Sequence, residues 1–330
     1  MNEIVKNQHY VPQCYLRYFS QTRKKISKVS LFDKKKCVIR ENQNIEKVAS
    51  ERFFYDIDFE TVINEANESG IKLDSEDIEI IKKIDKQQME HTFSDFIESE
   101  MFVPIKEIVT SYTMMTKSSY STRDVITEDK REKIAYYLAM QFLRTKKTKE
   151  LMVQIYETIK TGRIKKKLRL MNVMDDFSDD FKIKLKDSQI NLRHNILLMD
   201  PEIVMGIESV FLSCIWFIAV NETEISFCTS DNPVVKNGRL KEQGLSTKGM
   251  EIIFPLTPKL ALVMRERDYF SSTLKAENKF FNIDEKYVHY CNLLQLQQSY
   301  RYIYSKYNDL EFVKKYPNLQ DIDISRVTYK

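Results

Sequence analysis

Glycine occurs only 6 times and proline 7 times in 330 residues, against usual shares of about 7 % and 5 %. Few positions can therefore adopt a left-handed backbone without strain. That disfavours glycine-rich barrels and the glycine-bearing phosphate loops of doubly wound folds, and it favours helices. The length suits one large or two medium domains. With 42% hydrophobic and 30% charged residues, a chain of this size can bury a core without disulfides or metals. The 18 Tyr and 19 Phe against one Trp predict an aromatic core.

The net charge of +4, from 52 basic and 48 acidic residues, is too even to imply nucleic-acid binding by itself. Two basic runs, "RTKKTK" at 144–149 and "GRIKKKLRL" at 162–170, are candidate contacts for nucleic acid, with solvated helix faces as the plainer alternative. The 5 cysteines contain no C-x-x-C pair, which fits reduced thiols and a cytoplasmic location. The first residues lack the apolar stretch of a signal peptide, and the longest apolar run, "VFLSCIWFIAV" at 210–220, is too short to span a bilayer. No membrane association is expected.

Periodicity predicts an α+β protein with a mostly helical body. Val11 before Pro12 is biased to extended structure, and Pro12 can open a short helix running to about Phe19. "KISKVSLFDKKKCVIRE" reads as two strands around a tight turn. Residues 75–160 read as helical, with the helix of 127–147 breaking near Thr145. "SDDFKIKLKDSQINLRHNILLMD" predicts a further helix, and "DPEIVMGIESVFLSCIWFIAV" a buried one. From residue 223 the pattern turns to strands, through "TEISFCTSDNPVVKNG" and "MEIIFPLTPKLALVMRE". A helix capped by Asp284 follows, and "DISRVTYK" is a candidate edge strand. The expected sheet is small and antiparallel, built from the N-terminal hairpin and strands near 223–265. Residues 1–330 are expected to form a single domain, with two lobes as the alternative: 70–220 helical, 1–69 plus 221–330 mixed.

No phosphate loop, dinucleotide fingerprint, nucleophile elbow or H-E-x-x-H occurs. The four histidines lack metal-ligand spacing, so no metal site and no cofactor are expected. Asp180-Phe181-Lys182 and Glu277-Asn278-Lys279 resemble nuclease triplets, but such triplets arise by chance in a lysine-rich chain.

Four polar constellations remain. His9, Gln13 and Arg17 recur every four residues, with His9 at the mouth of the first helix. His9 could serve as an acid or base and Arg17 could grip a phosphate or carboxylate; ties to buried backbone and carboxylate groups are the alternative. In "AMQFLRT", Gln141 falls on an apolar stripe beside Arg144, where an unbonded amide costs about 1–3 kcal/mol. In "CTSDNPVV", Ser230, Asp231 and Asn232 follow a strand and precede Pro233, as either a self-bonded turn or a functional loop. Asn292, Gln295 and Arg301 mark the last long helix, where polar solvation or capping of neighbouring loops is the default.

Taken together, "QHYVPQCYLRYF", "QFLRT", "TSDNPVV" followed by "IIFPLTPKLALV", and "CNLLQLQQSYRYIYS" resemble the bacterial domain-of-unknown-function 4238 family along essentially the whole chain. The resemblance implies one shared fold with hallmark polar residues at His9, Gln13, Arg17, Gln141, Arg144, Ser230, Asp231 and Asn232, and it supplies no activity. Cys14 stands where an aromatic residue is more usual.

The leading expectation is a metal-independent hydrolase of phosphodiesters, an RNase- or DNase-like effector of bacterial defence against phage. His9 and Asp231 would be its catalytic residues. Gln13, Arg17, Gln141, Arg144, Ser230 and Asn232 would bind the substrate. The alternatives are a non-enzymatic sensor of a small anion, nucleotide or phage component, and a purely structural polar cluster. No protein partner is indicated.

Overall fold

The computed structural model describes residues 4–83, 85–120, 122–170, 181–240 and 244–319. Strand β1 (Asn7–His9) leads through Pro12 into a one-turn helix α1 (Gln13–Leu16), which tightens to a 3₁₀ turn up to Phe19. Strands β2 (Gln21–Arg23), β3 (Ile26–Asp33), β4 (Val38–Asn44) and β5 (Ser50–Arg52) follow. The helical body comprises α2 (Phe59–Glu68), α3 (Ser75–Lys83), α4 (Gln88–Thr92), α5 (Val103–Met114), α6 (Glu128–Arg144), α7 (Lys146–Leu170), α8 (Asp187–Met199) and α9 (Pro201–Ser213). Then come β6 (Ile215–Asn221), β7 (Thr229–Ser230), β8 (Val235–Gly238), β9 (Met250–Thr257), β10 (Leu260–Arg265), β11 (Phe280–Ile283), α10 (Glu285–Gln298) and β12 (Tyr302–Ser305).

The α+β class holds, with a mostly helical body. The strands of the N-terminal hairpin and of 223–265 divide between sheets. One five-stranded sheet has the order β11-β6-β10-β9-β8, with β11 parallel to β6 and the other pairs antiparallel. The other runs β2-β3-β12-β7 with β4 also on β3, so the hairpin meets the chain's late strands through β12. A two-stranded ribbon pairs β1 with β5, setting His9 opposite Ser50.

Alternation along β6 explains the core. Trp216, Ile218 and Val220 join the main cluster with Ile134, Leu138 and Phe211, while Phe217 and Ala219 face Val288, Cys291 and Leu294 of α10. The sheet is thus covered by helices on both sides. This corrects the expectation of one helix through residue 220. The helix ends at Ser213, and the run "IWFIAV" is a strand buried on both faces, which periodicity cannot distinguish from a buried helix. Arg131 donates to the carbonyls of Leu212 and Cys214 and so caps the end of α9. The segment around 93–101 is also irregular: Phe93–Met101 is a nine-residue π-helix, a form seldom sustained and often found near functional groups. The candidate strand at 323–330 lies outside the described residues.

Candidate functional site

The N-terminal strand is tied down from behind. Gln8, fully buried, donates to Asp56 Oδ1 at 2.5 Å and accepts from the Tyr55 backbone N–H at 2.6 Å. His9 lies on β1, ahead of the helix rather than at its mouth, and its ring Nε2 is 3.4 Å from the Ile45 carbonyl. The backbone carbonyls of His9 and Tyr10 receive Arg144 Nη2 and Gln141 Nε2, the latter at 3.1 Å. These contacts explain why two bulky polar side chains sit on the buried stripe of α6: they satisfy carbonyls that β1 would otherwise bury unpaired. Arg144 spends its remaining donors on Tyr55 Oη (3.3 Å) and Glu98 Oε1 (3.1 Å), with its guanidinium 3.7 Å from the centre of the Phe93 ring. Glu98 is delivered by the π-helix.

The second hallmark turn is equally enclosed. Asp231 accepts three consecutive backbone N–H bonds, from Tyr300, Arg301 and Tyr302, each at 2.8 Å. Ser230 donates to Gln295 Oε1 at 2.6 Å, and Asn232 donates to the Gln298 carbonyl at 3.0 Å. Thr145 Oγ1 reaches Asn232 Oδ1 at 3.2 Å, joining "QFLRT" to "TSDN". Asn292 bonds Cys228 N–H and the Ser226 carbonyl, so of the two expected roles, solvation and capping, the buried Asn292 takes capping.

His9, Gln141, Arg144, Ser230, Asp231 and Asn232 are therefore buried residues of one backing layer. Gln13 is half-buried and Arg17 exposed, and neither side chain bonds to that layer among the described residues. No hydrogen bond or ion pair joins His9 to Asp231 among the described residues. Burial pulls the His9 imidazole down to about 4, and burial pushes the Asp231 carboxyl up to about 6 against its three backbone donors. At neutral pH the histidine is uncharged and the carboxylate mostly ionised.

In front of the backing layer lies a cleft of about 340 Å³. Its walls are Tyr10 after β1, Lys35, Arg40 and Lys47 of the hairpin region, Glu51 of β5, Lys146 at the start of α7, and Tyr300, Arg301 and Tyr302 leading into β12. Arg301 forms a two-pronged bond to buried Asp33, Nε to Oδ1 and Nη2 to Oδ2, both 2.9 Å. Arg40 reaches the same carboxylate at 3.3 Å, and Lys146 pairs with Glu51. Lys35 and Lys47 are exposed and pair with no carboxylate among the described residues. The five lining cations outnumber the two carboxylates, leaving an excess of positive charge.

Residues 7–309 match the family model described as "Protein of unknown function (DUF4238)". The chain belongs to this DUF4238 family. No curated protein and no solved structure matches it.

In this DUF4238 chain six of the eight hallmark residues are buried behind the cleft; of the residues that face it, Lys146 and Arg301 were sequence candidates, and Lys35, Arg40, Lys47 and Glu51 were not. The signal for Lys35 was the "DKKK" turn, which also reads as ordinary surface. The basic run at 144–149 is not one exposed strip. Arg144 and Lys149 point inward, with Lys149 Nζ bonded to the Phe54 carbonyl and Asn191 Oδ1, both at 2.7 Å, while Lys146 faces the cleft. In the run at 162–170, Arg163, Lys166 and Lys167 are exposed. Glu277 of the second triplet pairs with Arg131 and Arg267, Asp180 of the first lies outside the described residues, and no group of three or more metal-ligating side chains occurs among the described residues. No described helix is long and apolar enough to cross a membrane.

Proposed function

We propose that the protein binds a phosphate-bearing ligand in the cleft between the β3–β4 hairpin, Lys146 and the Tyr300–Tyr302 loop. The observation that carries this reading is the excess of cations on one concave surface, two of them, Lys35 and Lys47, unpaired and exposed. A concave site with low-dielectric walls concentrates the field of such charges, and arginine and lysine are the usual donors to phosphate oxygens. The volume falls at the small end of the about 300–1,000 Å³ typical of ligand sites.

This reading reassigns the hallmark residues. Enclosed and bonded to backbone, His9 and Asp231 support the walls rather than meet a ligand. Phosphodiester hydrolysis is the second reading, and its support is Glu51, the carboxylate that lines the cleft beside Lys146. Isothermal titration of inorganic tripolyphosphate tests binding. Wild-type protein should bind it with an affinity that weakens as salt is added. The double substitution Lys35→Glu with Lys47→Glu should lower affinity at least tenfold. Equal affinity in the double variant would refute the assignment. A cleavage assay on RNA and single-stranded DNA, with Glu51→Gln as control, decides the second reading.

A further inference from the structure

The cleft has a second chemical character that a phosphate site alone does not require. Tyr10, Tyr300 and Tyr302 contribute aromatic surface to the lining that also carries the cations. Tyr300 and Tyr302 are half-buried, two residues apart, with Arg301 turned between them onto Asp33. The Arg301 guanidinium carbon lies 4.7 Å from the Tyr302 ring centre, and Lys146 Nζ lies 5.4 Å from that of Tyr300. Tyr300 and Tyr302 thus each have a cation close by, at the place where phosphates would be held. Asp231 holds the backbone of all three residues through its carboxylate, so the ring positions belong to the fold rather than to a loose surface loop. Gln43 and Ser50 add neutral hydrogen-bonding groups to the same lining.

Resting on the phosphate-binding reading, we infer that the ligand is a nucleotide, its base stacked on the tyrosines and its phosphates among Lys35, Lys47 and Lys146. Aromatic rings beside cations are the combination by which single bases and their phosphates are gripped together. The cleft is compact enough for one such unit, and its aromatic faces select an unstacked base over a closed duplex. Two sources present the same chemistry at the cleft, a free nucleotide and the end of a single strand.

The test compares three probes on the full chain by titration: an equimolar mixture of the four nucleoside triphosphates, inorganic tripolyphosphate, and a single-stranded tetranucleotide. The nucleoside triphosphates should bind at least tenfold tighter than tripolyphosphate. Tyr300→Ala should weaken nucleoside triphosphate binding by roughly 5- to 150-fold, the range of base–aromatic stacking, and spare tripolyphosphate. Tyr300→Phe, which keeps the ring, should retain the wild-type preference. A tetranucleotide tighter than the triphosphates identifies a strand end, a weaker one a free nucleotide, and either supports a base contact. Equal affinity for tripolyphosphate and nucleoside triphosphates overturns the inference while leaving phosphate binding intact. Failure of wild-type protein to bind any of the three overturns both.

Discussion

Arg144 is the side chain on which the N-terminal wall depends. It is fully buried and serves the His9 carbonyl, the Tyr55 hydroxyl and Glu98, with Phe93 beneath its guanidinium. Arg144→Met keeps much of the volume and removes every donor. In that dry interior the His9 carbonyl keeps only the 3.5 Å bond from the Tyr55 hydroxyl, which also donates to the residue-144 carbonyl at 3.3 Å, and the two hydrogen bonds lost from the charged guanidinium are worth about 1.5–3 kcal/mol each. Glu98 is 23% exposed at its side chain and can turn to water, so its share is discounted to about 1 kcal/mol or less. The sum is about 3–7 kcal/mol, overlapping the about 3–5 kcal/mol found when one partner of a buried charged pair is removed. Arg144→Lys keeps the charge but cannot reproduce a planar fork serving three acceptors, so it should recover only part of the loss. Urea unfolding followed by far-ultraviolet circular dichroism at pH 7.5 measures both variants. A loss below about 1 kcal/mol for Arg144→Met, or wild-type stability for Arg144→Lys, would refute this account of the wall.

Further outcomes can be checked in the same way. His194 is buried, and burial with Lys149 nearby holds its pKa down to about 3, so the folded state keeps it neutral while the unfolded chain takes up a proton near 6.5. Its contribution is complete above pH 6.5 and falls by about 1.4 kcal/mol for each pH unit below that, down to about pH 3. His194→Asn should remove that much from the pH slope of stability between pH 6 and 5, and identical slopes would contradict it. Asp231→Asn turns an amide donor toward one of three backbone N–H groups, so amide exchange at Tyr300–Tyr302 should accelerate with a loss of about 2–3 kcal/mol; unchanged protection would show that the carboxylate does not hold the loop. Glu251 is buried between Arg239, Arg265 and the hydroxyls of Tyr287 and Tyr290. Glu251→Leu should cost about 3–5 kcal/mol in urea unfolding by leaving these donors unpaired, and a near-neutral effect would sink that account.

Elements whose signals are local were legible in the sequence. Pro12 opens α1, "DKKK" turns the β3–β4 hairpin, Thr145 breaks the helix between α6 and α7, and Asp284 caps α10 through a bond to the Tyr287 N–H. The strand β6 was not, because burial on both faces erases alternation, and its parallel partner β11 follows it by a long connection that no short window records. The polar residues of the three motifs were legible as types. Their orientation was not, since an amide on an apolar stripe reads alike whether it meets a ligand or the carbonyl of a distant strand, as Gln141 does with Tyr10. The cleft was invisible for a different reason. Its walls come from separated segments assembled by pairings such as Asn7 with Arg52 and Tyr302 with Asp33. The motifs therefore mix two kinds of position: enclosed polar residues such as Gln141 and Asp231, and cleft-facing ones such as Tyr10 and Tyr300–Tyr302.

The three bonds that converge on Asp231 have a kinetic consequence. A loop held by its own backbone loses its conformational freedom during folding, so a ligand arriving at the Tyr300–Tyr302 wall has little ordering entropy left to overcome. On the proposed phosphate-binding reading, capture would need no slow closing step. Its rate would be set by diffusion and by the positive field of the hairpin lysines, and it should fall with ionic strength while the dissociation rate stays nearly constant.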